Sequence, residues 1–189
     1  TREFRRIAVE PERFALHVKG MEVVGTDPRA LPAWGLAYAT STRGACHERA
    51  AANFEFGGLN EEEMVRIAGT TRISEQHGWR GKGRAIAYLE NMRAFDDSLV
   101  LCHLLTRGTF GFPEVGASLF EAATGLDLDA DELLRVGERI TNAERLFNLR
   151  EGISPNADTL PQRFLEEPLP AGPSVGQVCP LEPMLEEYY

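Results

Sequence analysis

The sequence predicts an all-α protein: a multihelical bundle with a short extended N-terminal segment and a proline-rich C-terminal tail that wraps the helical body. Three observations carry this. Two stretches, "NEEE" from Asn60 and "DADE" from Asp129, match the reciprocal cap that opens a helix, in which a short side chain accepts from the N3 amide and the N3 glutamate reaches back. Apolar residues after Lys82 recur at steps of three and four over some twenty positions, the period of a helix face. Alternation of period two is confined to one stretch near the N-terminus.

That stretch comes first. Phe14, Leu16 and Val18 alternate with Ala15, His17 and Lys19 up to Gly20, a short strand signal. Gly25, Asp27 and Pro28 mark a turn. A short helix is expected over Leu31–Thr40, with Pro32 tolerated in its first turn. The next helix is capped by Asn60 and Glu63, and Met64, Ile67 and Ala68 supply its buried side. After the break "HGWRGKG" comes the longest stripe: Ala85, Tyr88, Leu89, Met92, Phe95, Leu99 and Cys102. A further helix spans Pro113 to Thr124 and stops at Gly125. The last long one starts at Asp129 and ends near Gly152. Leu133, Val136, Gly137, Ile140, Glu144 and Phe147 form its inward face, with Gly137 small enough to let another helix approach. Residues 153–183 are proline-rich and aperiodic, and Cys179 is expected to pack there. Asp27 and Asp158 read as turn residues.

Composition excludes several functions. Twenty basic against 29 acidic residues give a formal charge of −9, without the basic stripe that nucleic acid requires. No apolar run is long enough to span a membrane. Three scattered cysteines and the lack of a secretory signal point to reduced thiols in a cytoplasmic protein. The chain begins at Thr1 and closes on a helical "LEPMLEEYY", so it reads as a piece of a longer protein.

On spacing alone, the chemistry is sparse. Cys46 and His47 are adjacent, a poor arrangement for one metal in a helix, and no second ligand pair stands at zinc-site spacing. Read by itself, "RGACHER" is a loop with an ordinary cysteine and a polar histidine. Cys102 reads as a packing thiol at the buried side of its helix or just past its end, and Asp97 as an acid beside an uncharged run.

Several stretches together resemble the aldehyde ferredoxin oxidoreductase family of tungsten-pterin enzymes. They are "FALHVKGMEVVGTDPRALPAWGLAYATSTRGACHER", "DDSLVLC", "RVGERITNAERLFNLREG", "DTLPQRF" and "MLEEYY", in the family's order over nearly the whole chain. The resemblance implies residues 1–29 as the end of a preceding helical domain and its connection, and residues 30–189 as the C-terminal helical domain. It implies His47 near the metal, within reach of a carbonyl substrate, and Arg49 on the pterin. Asp97-Ser98-Leu99-Val100-Leu101-Cys102 stands where the family has D-x-x-G-L-C. Asp97 would accept from pterin N–H groups, Leu101 would offer its backbone, and Cys102 would be a thiolate ligand of a [4Fe–4S] cluster. Val100 replaces the glycine, and its Cβ branch resists the backbone geometries that glycine allows.

The implied activity is oxidation of a small aldehyde to a carboxylic acid, with electron transfer through the cluster to ferredoxin. The implied cofactors are tungstopterin, or its molybdenum counterpart, and the cluster. The family's other cluster cysteines have no counterpart here, so the isolated chain is expected to hold no cofactor and to be inactive without an N-terminal pterin-binding part. The apolar face that such a part would cover is expected to be exposed and to favour a homo-oligomer. Two alternatives stay open: a cofactor-free helical packing module of the same family, or a family oxidoreductase acting on another carbonyl compound or acyl-thioester.

Overall fold

The computed structural model describes residues 13–102 and 113–189. Near the start of the described residues, the short extended segment is a hairpin of β1 (His17–Val18) and β2 (Met21–Glu22). The strands pair antiparallel with His17 opposite Glu22 and Val18 opposite Met21. The two turn residues, Lys19 and Gly20, both have positive φ (47° and 86°), as the tight hairpin turns that match strand twist require. Val18 enters the main core, and Lys19 turns its ammonium inward.

Seven α-helices follow among the described residues: α1 (Pro32–Thr40), α2 (Glu61–Ala68), α3 (Lys82–Ser98), α4 (Pro113–Thr124), α5 (Ala130–Arg150), α6 (Gln162–Glu166) and α7 (Leu181–Tyr188). The expected capping boxes are present at α2 (Asn60 with Glu63) and α5 (Asp129 with Glu132). Central α3 is packed against α1, α2, α5 and α7. At the α3–α5 crossing, a Cβ on Gly137 would lie 1.8 Å from the Asn91 carbonyl oxygen, so only glycine allows this approach. Beyond α5 the tail wraps the body as expected. It places Leu160, Phe164 and Cys179 in the core, and burial pushes the Cys179 thiol well above its usual range.

All nine residues of α1 are buried. A helix apolar all round must sit inside, and fully burying side chains such as Leu36 contributes about 2 kcal/mol each. Its open backbone ends then need partners within the protein. At the N-terminus, Glu55 accepts from the Trp34 amide (3.2 Å) and pairs with the fully buried Lys82 (2.5 Å). At and just past the C-terminus, Lys19 donates to the Ala39 and Ser41 carbonyls, Arg145 to that of Thr40 (2.9 Å), and Asn148 to that of Thr42 (2.8 Å). Cations at a helix C-terminus also meet the favourable sign of the helix dipole.

Two expectations need correction. Asp158 is more than a turn residue: it is buried and receives Lys19 (2.6 Å) and Arg145 (3.0 Å). Phe147 does not lie on the inward face of α5. The inward path runs through Leu133, Gly137, Glu144 and Arg145, with Arg145 drawn in by Asp158 and the Thr40 carbonyl. Phe147 and Leu146 are turned outward, each 62% exposed.

Candidate functional site

The loop after α1 carries His47 and Arg49. Its path is fixed by the inward Cys46 and by hydrogen bonds from the Gly44 amide to the Ser41 carbonyl (3.2 Å) and from the Ala51 amide to the His47 carbonyl (3.1 Å). Burying Cys46 turns the next side chain outward. His47 is 40% exposed, with its ring 5.9 Å from that of Trp34 and its Nε2 2.8 Å from Glu48 Oε1. Buried Trp34 Nε1 has no hydrogen-bond partner among the described residues.

The second segment, Asp97 to Cys102, is a helix C-terminus. Helix α3 ends at Ser98. The Leu101 amide then donates to the Asp96 carbonyl (3.2 Å) and the Val100 amide to that of Asp97 (3.0 Å). These two bonds define a Schellman motif, whose C′ residue takes the left-handed conformation. Val100 is that residue, with φ +59° and a side chain 91% exposed. Leu99 and Cys102 therefore lie past the helix rather than on its stripe. Cys102 is exposed, whereas Cys46 and Cys179 are buried.

The two segments meet through Arg49. Its Nη1 donates to Asp97 Oδ2 (3.2 Å) and its Nη2 to Glu144 Oε1 of α5 (2.7 Å). Glu144 Oε2 also accepts from Thr42 Oγ1 (2.6 Å). The buried Arg49 Nε has no partner among the described residues. Arg49 lines a cavity of about 10 Å³ together with Thr42, Glu90, Ala94, Thr141 and Glu144. Burial pushes the Glu90 carboxyl above its usual range, even though Thr40 and Tyr188 hydroxyls donate to it.

Thus the structure joins Arg49 to Asp97, sets His47 two residues from Arg49 against Trp34, and leaves Leu101 half-buried and Cys102 at the surface. His47, Asp97 and Cys102 do not line that small cavity. Among the described residues, no group of three or more His, Cys, Asp or Glu side chains is placed to hold a metal ion. Sequence reading did not assign Glu144 or Thr42 to this cluster. A signal existed for Glu144, a charged residue on an otherwise apolar helical stripe.

The assembled segments can be set beside known proteins. A family model described as "Aldehyde ferredoxin oxidoreductase, domains 2 & 3" matches residues 3–189. The tungsten-containing aldehyde ferredoxin oxidoreductase of Thermococcus kodakarensis is 38% identical over 192 residues, covering 98% of this chain and 29% of the relative. The enzymes of the same name from Pyrococcus furiosus and Pyrococcus horikoshii are 39% and 37% identical; each match covers 93% of this chain and 27% of the relative. The chain thus spans just over a quarter of the length of these relatives. No helix among the described residues is long and apolar enough to cross a membrane. The chain belongs to the aldehyde ferredoxin oxidoreductase family.

Proposed function

We propose that this chain closes one side of a tungsten-pterin centre in an enzyme that oxidises aldehydes to carboxylic acids, with electrons leaving through a [4Fe–4S] cluster to ferredoxin. The meeting of Arg49 with Asp97 is the observation that carries the reading: residues 48 apart in sequence share one ion pair at the end of α3. This pair is partly exposed, so it contributes at most about 1 kcal/mol to folding. Its value lies in the surface it presents.

The residues present fit the group. Asp97 Oδ1 accepts no hydrogen bond among the described residues, and its side chain is 48% exposed. A carboxylate with a free oxygen suits a two-donor N–H edge. Arg49 supplies a fixed cation for an anionic cofactor, and Cys102, five residues after Asp97, is exposed. When bound, the tungsten-pterin centre supplies the two-electron acceptor for carbonyl oxidation. His47, whose ring lies against Trp34 and whose Nε2 faces Glu48, would donate a hydrogen bond to a substrate oxygen or hold a proton. Cys102 would be one cluster ligand, the other three coming from a part of the enzyme outside residues 1–189. By itself the chain would be inactive. Exposed Leu146, Phe147 and Leu149 on α5 would be covered in the complete enzyme.

The test uses the complete enzyme that carries this chain. Cys102→Ala is expected to lose iron and Asp97→Ala to lose pterin and tungsten, whereas His47→Ala keeps both metals and turns over slowly. Iron equal to wild type in Cys102→Ala would overturn the cluster assignment.

A further inference from the structure

We propose that Glu144 is a positioning residue that keeps Asp97 open for its ligand by holding Arg49 away from it. The inference rests on the reading of Arg49 and Asp97 given above. Arg49 lies between two carboxylates and is closer to Glu144: 2.7 Å, against 3.2 Å to Asp97. Glu144 is itself anchored. Its second oxygen takes the Thr42 hydroxyl, and the Thr42 carbonyl is held in turn by Asn148, one helical turn farther along α5. The rigid rod of α5 thereby sets where the guanidinium stops.

An arginine released from one carboxylate closes on the other. Two parallel N–H donors match a carboxylate as a fork, and the bidentate pair is the stronger geometry. Without Glu144, both terminal nitrogens of Arg49 would turn to Asp97 and engage both of its oxygens. The carboxylate would then have no free acceptor for a donor edge. With Glu144 present, Arg49 takes one oxygen of Asp97 and leaves Oδ1 open. Among the described residues Glu144 contacts Arg49 and Thr42, and its effect on Asp97 runs through Arg49.

The experiment measures tungsten and pterin per polypeptide in the purified complete enzyme, by elemental analysis and by fluorescence of the oxidised pterin. Glu144→Ala is expected to lower both about fivefold. Glu144→Gln, whose amide oxygen can accept from Arg49 while its NH2 donates to the Thr42 hydroxyl oxygen, is expected to restore at least half. The diagnostic readout is the double variant. Because Glu144 acts through Arg49, Arg49→Ala with Glu144→Ala should match Arg49→Ala alone, whereas a general packing role would make the losses multiply. Wild-type content in Glu144→Ala, or multiplied losses in the double variant, overturns the proposal. If Asp97→Ala and Arg49→Ala lose pterin but Glu144→Ala does not, only the positioning role fails. If Asp97→Ala and Arg49→Ala keep it, the underlying site reading fails as well. Should Glu144→Ala not fold, Glu144→Gln in the Arg49→Lys background carries the same comparison.

Discussion

Helices α3 and α5 end in the same way, with one difference. At α5 the Ile153 amide donates to the Asn148 carbonyl (2.9 Å) and the Gly152 amide to that of Leu149 (3.1 Å), with Gly152 at φ +87°. At α3 the same two bonds close around Val100. Glycine adopts the left-handed conformation freely, whereas a β-branched residue there is an outlier that costs about 1–2 kcal/mol. Packing does not offset that cost, because the Val100 side chain is almost wholly exposed. The α5 end obeys local rules and serves the fold. The α3 end breaks one where Asp97, Leu101 and Cys102 are gathered, and rules are commonly broken at functional sites.

The comparison can be tested from its strongest point downward. Gly137 locks the two helices together, so Gly137→Ala should force them apart and cost about 3 kcal/mol or more. Urea unfolding measures it, and a loss below about 1 kcal/mol would mean that the crossing yields easily. Gly152→Val should cost about 1–2 kcal/mol by importing at α5 the strain already present at α3. Val100→Gly should raise stability by about 0.5–1 kcal/mol, less than the strain removed because glycine also loosens the unfolded chain. A melting temperature unchanged or lowered in Val100→Gly would show that Val100 is not strained.

The smallest effect at low pH concerns α3's buried acid. Burial holds the Glu90 carboxyl above its unfolded value of 4.5, so the folded state keeps a proton that the unfolded chain releases. The stability this contributes is complete below pH 4.5 and is lost as pH rises through the higher folded value. Glu90→Gln should differ little at pH 4 and should lack that decline, as read from unfolding free energies across pH 4–8. A parallel decline in both proteins would exclude Glu90 as its source.

The sequence was informative where signals are local. The capping boxes at Asn60 and Asp129, the close-approach Gly137 and the stop at Gly152 are each written within a few positions, and each appears in the structure. The stripe after Lys82 located α3 but ran past its end to Leu99 and Cys102, because apolar spacing continues through the turn that Val100 makes. Lys19, Asp158 and Arg145 were not legible, since their meeting depends on three distant segments. The candidate site divides the same way. His47, Arg49, Asp97, Leu101 and Cys102 came from motif resemblance, whereas Glu144 needed the helix packing that brings α5 beside the loop after α1.

The closures of α1 set an order for folding. Helices α2 and α5 carry their own start signals and can form from nearby residues. Helix α1 borrows its closures: Asn148 reaches Thr42 across 106 positions, Arg145 reaches Thr40 across 105, and Lys19 arrives from the hairpin. Contacts so distant in sequence are made only after the intervening chain has been gathered. Pulse-labelled hydrogen exchange during refolding should therefore protect the amides of α5 before those of α1. The most deeply buried of the described helices is then among the last to form, and the loop bearing His47 and Arg49 takes its shape only when the rest is in place.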